Sequence, residues 1–454
     1  MIGVVAAGRV ACAQPAEVLA KRVLAEMVAT NTTADAGSTT PLVRTLAARF
    51  RAAGWPSADV VVAGAGARTQ NLVVRWRGRS SASPILFNAH LDVVEVERAG
   101  WTTDPFRLVE RDGYLYGRGV LDDKGPAAAA VAAFLVARRS GVIPTHDLIL
   151  TLTAGEESGV ENGVEWLYEH RPELVRSDVV INLDAGGGDM RDGKLTTFAV
   201  QGAEKAYLDI MLVAKGPGGH SSVPVGLSPI DHLAAAVTRL ATHRFPVVVS
   251  PFVRMFLERA GPNTPGALGK AMQAVAARPD DAEALQVLLA DPPTAARLRT
   301  TCITTILRAG TAPNAIPAEA TANVNCRVLP GETEAAVLRS ITQVIADSSI
   351  TLRVDMPLTP SPASAMPVWL ESVLADALGP RFGTVPLVPF METGATDGVY
   401  SRNRNIPTFG VAGLFVPEDD LARMHGNDER LPATALTDMA QYTERLVRAI
   451  ASRP

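Results

Sequence analysis

The chain has 454 residues, 47% of them hydrophobic and 20% charged, with a net charge of −4. Such a composition belongs to a soluble globular protein, and the length is too great for one ordinary core, so two or three domains are expected. No Lys/Arg block stands out and the apolar runs are short and interrupted, which argues against nucleic acid and membrane partners.

The first thirteen residues are ambiguous. Residues 1–8 carry no charged or polar side chain, and Ala11-Cys12-Ala13 has the small residues of a cleavage site before Gln14. Yet no basic segment precedes the apolar run, and Arg9 interrupts it. The reading leans to a clipped export signal, hence a periplasmic or secreted protein; without one the protein would be cytoplasmic.

From there the periodicity changes along the chain. Residues 18–53 place Leu19, Val23, Met27, Leu42, Leu46 and Phe50 at helical spacing. Residues 71–76 and 84–89 read as strands, 126–140 as an alanine-rich helix, and 146–153 and 178–183 as buried strands. Strands alternating with helices predict an α/β domain with a mixed, mostly parallel sheet. After Gly202 the order is strand 207–214, helix 228–242, strands 301–309 and 320–328, helix 332–346 and strand 350–355. That is a smaller α+β layer, with a Pro-rich helical insertion at 246–299. A closing helix spans 433–450. The expected division is 14–202 and 357–454 for a catalytic domain, with 203–356 inserted as a lid.

Three cysteines, Cys12, Cys302 and Cys326, are too few for a disulfide framework and lack metal-site spacing. A hairpin centred on Asn314 would let Cys302 and Cys326 face each other, but two buried thiols are the expectation. His146, His170, His232 and His243 match no motif and are read as solvated. Trp101 and Phe106 are read as packing residues.

Five short motifs fall at strand ends, where open α/β sheets bind ligands. In Asn88-Ala89-His90-Leu91-Asp92, His90 can offer an imidazole nitrogen to a cation, and Asp92 can accept from the other ring nitrogen. Alone, this pattern more often marks a structural histidine. Asp122 projects from the glycine turn of 116–125, a cluster that is as often only a solvated turn. Glu156 and Glu157 are adjacent, and paired carboxylates in a low-dielectric site need a compensating positive charge. They could equally cap the next helix. Asp184 and His425 complete the set. His90, Asp122, Glu157, Asp184 and His425 supply nitrogen and oxygen donors with no thiolate, which suits a hydrolytic two-metal site better than a structural zinc.

In order along the chain stand HLD (90–92), GRGVLDDKG (117–125), GEES (155–158), GGHSS (218–222), NAIP (314–317), GATD (394–397) and HGNDE (425–429). Together these make the chain resemble the co-catalytic zinc metallopeptidases that include glutamate carboxypeptidase, aminoacylase, succinyl-diaminopimelate desuccinylase and carnosinase-type dipeptidases. The resemblance spans about 19–450 and rests on seven ordered matches. It implies that Asp122 bridges two zinc ions, manganese or cobalt being alternatives, with His90 and Asp184 on one ion and Glu157 and His425 on the other. It further implies Glu156 as general base to a water held between the ions, and Asp92 as the residue orienting His90. In the lid, His220 would polarise the scissile carbonyl, in some members across a homodimer, while Asn314 and Arg327 contact the substrate. Asp397 is given a structural role. Two departures stand out: the glycine-rich loop after Asp184, and the insertion at 246–299.

The expected function is therefore an exopeptidase on small peptides. A deacylase of N-acyl amino acids using the same residues is the alternative, and a non-catalytic metal- or peptide-binding module is a third reading.

Overall fold

The computed structural model describes residues 14–223 and 226–453; the expected export segment, with Cys12, lies outside them. Two compact units emerge. Residues 199–366 and 386–410 form the second, and the remaining described residues the first.

In the first unit, two helices, α1 (Ala16–Val28) and α2 (Thr40–Ala52), account for the helical periodicity of 18–53. Five strands follow: β1 (Val60–Gly64), β2 (Gln70–Trp76), β3 (Ser80–His90), β4 (His146–Thr153) and β5 (Val179–Asn182). β1 pairs antiparallel with β2, and β2 antiparallel with β4. β3 runs parallel to both β4 and β5. The sheet is thus mixed, with a parallel centre. From Asp147 onward every residue of β4 is buried, as expected of a strand covered on both faces. Helix α3 (Lys124–Arg139) carries alanines at 127–130, 132 and 133, whose small side chains allow the close helix packing seen against α1 and the C-terminal helix Ala433–Ala451. Phe134 meets Phe87 of β3 edge to face, with ring centroids 5.4 Å apart.

The parallel centre positions the site. β3, β4 and β5 lie side by side and run the same way, so their C-terminal ends are neighbours. His90 ends β3, Glu156 and Glu157 follow β4, and Asp184 follows β5.

The second unit is built on an antiparallel sheet of β6 (Ala206–Lys215), β7 (Thr301–Ala309), β8 (Glu319–Val328) and β9 (Ile350–Met356), in the order β7-β8-β6-β9. Burial alternates along β6 and β8, so one face is apolar. Helices α4 (Pro229–Thr242) and α9 (Glu334–Ile345) supply the partners to that face: Leu233, Leu240 and Ile341 pack with Leu208, Ile210 and Val324. The insertion is helical, with α5 (Pro251–Ala260), α6 (Gly266–Ala277), α7 (Ala282–Ala290) and α8 (Pro292–Leu298) around Phe252, Leu257, Met272 and Leu288.

Residues 386–410 group with the second unit. The reason is local: Gly410 pairs with Gln201, and the fully buried Arg402 guanidinium meets Glu204 at 2.7 Å and Gln201 at 3.1 Å. Cys302 and Cys326 are not free thiols. The β7–β8 register sets them directly opposite, with Cα atoms 4.0 Å apart, and they form a disulfide. His232 is not merely solvated, since its Nδ1 lies 2.7 Å from the Asp347 carboxylate. No helix among the described residues is long and apolar enough to cross a membrane.

Candidate metal centre

The structure brings all five expected ligands together in the first unit. His90, Asp122 and Asp184 form one group of donors, and Asp122, Glu157 and His425 another, with the donor atoms of each group within 4.8 Å of one another. Asp122 belongs to both, through different oxygens. Its Oδ1 is 2.9 Å from His90 Nε2, and its Oδ2 is 3.0 Å from His425 Nε2. Asp184 lies 3.6 Å from His90 Nε2, and Glu157 3.2 Å from His425 Nε2. Tetrahedral zinc, with bonds of about 2.0–2.1 Å, holds its donors roughly 3.3 Å apart. The observed spacings straddle that value. Donor chemistry and spacing fit a pair of divalent ions sharing one carboxylate.

Electrostatics point the same way. Burial lowers the affinity of His90 for a proton, but hydrogen bonds to Asp122 and Asp184 outweigh it and push its pKa well above the usual imidazole range. Hydrogen bonds to Asp122 and Glu157 push His425 up to about 10. Burial opposes the charge on Asp122, yet both imidazoles hold its carboxyl well below the usual range. Burial and the nearby Asp184 push Asp123 well above it. The cluster stabilises positive charge strongly.

Several groups fix the ligands, and here the structure adds to the sequence reading. His90 Nδ1 lies 3.0 Å from the main-chain carbonyl of Asp92, while the Asp92 carboxylate stands 3.7 Å away. That carboxylate instead accepts the main-chain N–H groups of Glu156 at 3.3 Å and Glu157 at 3.0 Å. Asp92 therefore orients the ring through its backbone and the glutamate loop through its side chain. Asp123, given no role from sequence, accepts the main-chain N–H of His90 at 3.0 Å.

Glu429 belongs to the HGNDE stretch and has no role assigned from sequence. Buried, it accepts from the Arg118 guanidinium (2.9 Å) and from the main-chain N–H groups of Gly119 (2.9 Å) and Leu121 (2.8 Å). Arg118 also donates to the carbonyl of His425 at 3.2 Å and stacks 5.2 Å over Trp101. One buried ion pair thus ties the Asp122 turn to the His425 segment. Opposite charges within two motifs were the available sequence signal. Lys124, fully buried, donates to the Thr30 carbonyl at 3.0 Å, and burial pushes its pKa down to about 7.

In the second unit, residues 219–220 pair with 315–316, which sets exposed His220 beside exposed Asn314. The main-chain N–H of Ser222 donates to His220 Nδ1 at 3.2 Å, so the neutral ring carries its proton on Nε2 as a donor. Arg327 is elsewhere. It sits opposite Tyr207 near the far end of β8, stacked 4.7 Å over that ring, eight residues along the strand from Glu319 (327 minus 319), or roughly 26 Å at about 3.3 Å per residue. The structure groups His220 with Asn314 but not with Arg327. Asp397 is buried at the start of the short helix Gly398–Arg402.

Comparison with known proteins identifies the family. The model of peptidase family M20/M25/M40 matches residues 86–450. The human N-fatty-acyl-amino acid synthase/hydrolase PM20D1 is 28% identical over 383 residues, covering 81% of this chain and 74% of its own. Among solved structures, the M20 family metallo-carboxypeptidase Sso-CP2 from Sulfolobus solfataricus superposes with a TM-score of 0.71 at 16% identity, covering 95% of this chain and 99% of its own. The YXEP protein of Bacillus subtilis, described as a dinuclear metal binding peptidase, gives 0.61 at 13% identity, covering 95% and 98%.

Proposed function

The chain belongs to peptidase family M20/M25/M40, a premise from which we propose an exopeptidase of carboxypeptidase or dipeptidase type that cleaves small peptides with two zinc ions. The observation that carries the proposal is the Asp122 carboxylate shared by two donor groups, beside the Glu156–Glu157 pair. A module that only holds metal or peptide is set aside by membership of a peptidase family.

His90 and Asp184 would hold one ion, Glu157 and His425 the other, and Asp122 both. When bound, such ions lower the pKa of a water and polarise the substrate carbonyl. Glu156 takes the proton of the attacking water and returns it to the leaving amine. Asp92, by accepting the main-chain N–H of Glu156, fixes the base. His220 donates its Nε2–H to the carbonyl oxygen as negative charge develops there. Asn314 and Arg327 contact the substrate's carboxylate or backbone. Asn314 precedes the N-terminal end of β8 and Arg327 stands near its C-terminal end, an arrangement that favours their meeting one peptide from two different chains. The proposal therefore includes a homodimer through the second unit, each copy supplying one of the two. A monomer in solution under turnover conditions would remove that element.

Glu156→Gln decides the catalytic reading. It should keep two metal ions per chain and lose roughly 10²–10⁴-fold in kcat. Near-normal turnover would remove Glu156 from the chemistry.

A second reading, deacylation of N-acyl amino acids by the same residues, is supported by the name of the human relative. A panel of dipeptides against N-acyl amino acids separates the two. Export to an oxidising compartment is also proposed, and the Cys302–Cys326 bond supports it. Recovery of the native protein from the cytosol with both thiols free would end that part.

A further inference from the structure

The second unit contains a cavity of about 590 Å³ among the end of α4, helices α7 and α8, and the edge strand β7. The reaction proposed above uses none of its lining. Val237, Leu240, Phe245 and Leu289 give it apolar walls, while Arg244 and Arg299 bring two guanidiniums to it. No aspartate or glutamate lines it.

The two arginines are not equivalent. Arg244 Nη1 donates to the carbonyls of Ala241 and His243, both at 2.9 Å, and so closes the C-terminal end of α4. Arg299 has no such employment for its Nε, which is buried without a hydrogen-bond partner. Burial lowers the pKa of Arg299, the charge of Arg244 lowers it further, and no carboxylate offsets either. Two like charges facing one apolar cavity are unfavourable unless something anionic comes between them. Guanidiniums recognise carboxylates through paired, charge-assisted hydrogen bonds. The volume lies within the range of about 300–1,000 Å³ that small-molecule sites occupy.

We propose that this cavity is a binding site for a small amphipathic carboxylate, whose hydrocarbon body lies on Val237, Leu240, Phe245 and Leu289 and whose charge is taken by Arg299 and Arg244. The site is independent of the amide that the enzyme cleaves.

Isothermal titration of the metal-loaded full chain with decanoate, 1-decanol and decyltrimethylammonium tests this. Decanoate should bind one site that Arg299→Ala weakens at least tenfold and that Ala296→Trp, which fills the cavity, abolishes. Neither the alcohol nor the ammonium should bind that site comparably. Turnover by Arg299→Ala should match wild type. Because a carboxylate can also reach the metal centre, the variants decide the matter rather than wild-type binding alone. Decanoate affinity unchanged in both variants, absence of decanoate binding, or equal affinity for 1-decanol would each overturn the proposal. If the melting temperature of Ala296→Trp shows that it is misfolded, Arg244→Ala takes its place, with the same tenfold criterion.

Discussion

The two units present their candidate functional residues in opposite ways. In the first, His90 is almost fully buried at 1% exposure, and buried carboxylates accept main-chain N–H groups at His90, in the Asp122 turn and at Glu157. In the second, His220 stands exposed on a ladder two residues long, with exposed Asn314 just before its partner strand. The difference teaches where precision is needed. Divalent cations demand donors held within tenths of an ångström, whereas recognition of varied substrates tolerates adjustable contacts. Arg327, stacked on Tyr207, lies between these extremes.

Four experiments break or sharpen that contrast. The largest effect is expected at Asp122, the oxygen donor common to both groups. Asp122→Asn should lose both ions and all measurable turnover, and elemental analysis showing two bound ions would contradict a bridging role. His220→Ala comes next. It should cost about 10²–10³-fold in kcat, the range for removing one oxyanion donor, while metal content stays unchanged. A parallel loss of metal would mean that the exposed residue is not separable from the buried centre.

Glu429→Gln probes the buried scaffold itself. Loss of the charge facing Arg118 should weaken metal affinity about 10–100-fold, the range for changes behind a ligand shell. A fall in melting temperature should accompany it, since uncompensated buried charge costs roughly 3–5 kcal/mol. Unchanged affinity would limit Glu429 to stability alone. The fourth effect concerns pH. The Asp122 and Glu157 carboxylates hold a proton on His425 up to about pH 10, and a cation must displace it. Metal affinity should therefore fall as pH drops from 8 to 6, by up to about tenfold per unit for each proton released. Titration with a competing chelator at the two pH values measures this, and an affinity that rises toward acid would refute the coupling.

The sequence by itself determined a good deal. Burial runs such as 146–153 and alanine-rich 126–140 are written in side-chain chemistry, so the strand and helix they form were legible. So was the set of five candidate donors that the structure brings together, because two imidazoles and three carboxylates are a property of residue types read directly from the chain. Only the tertiary structure decided the rest. That Asp92 uses its carboxylate on the glutamate loop, that Asp123 holds His90, and that Glu429 clasps Arg118 from 311 residues away depend on which chain segments meet. The pairing of Cys302 with Cys326 and the return of 386–410 to the second unit depend on strand register and on one buried arginine. Local propensity is encoded over a few residues, but buried polar groups choose partners only when packing brings those partners within hydrogen-bonding distance.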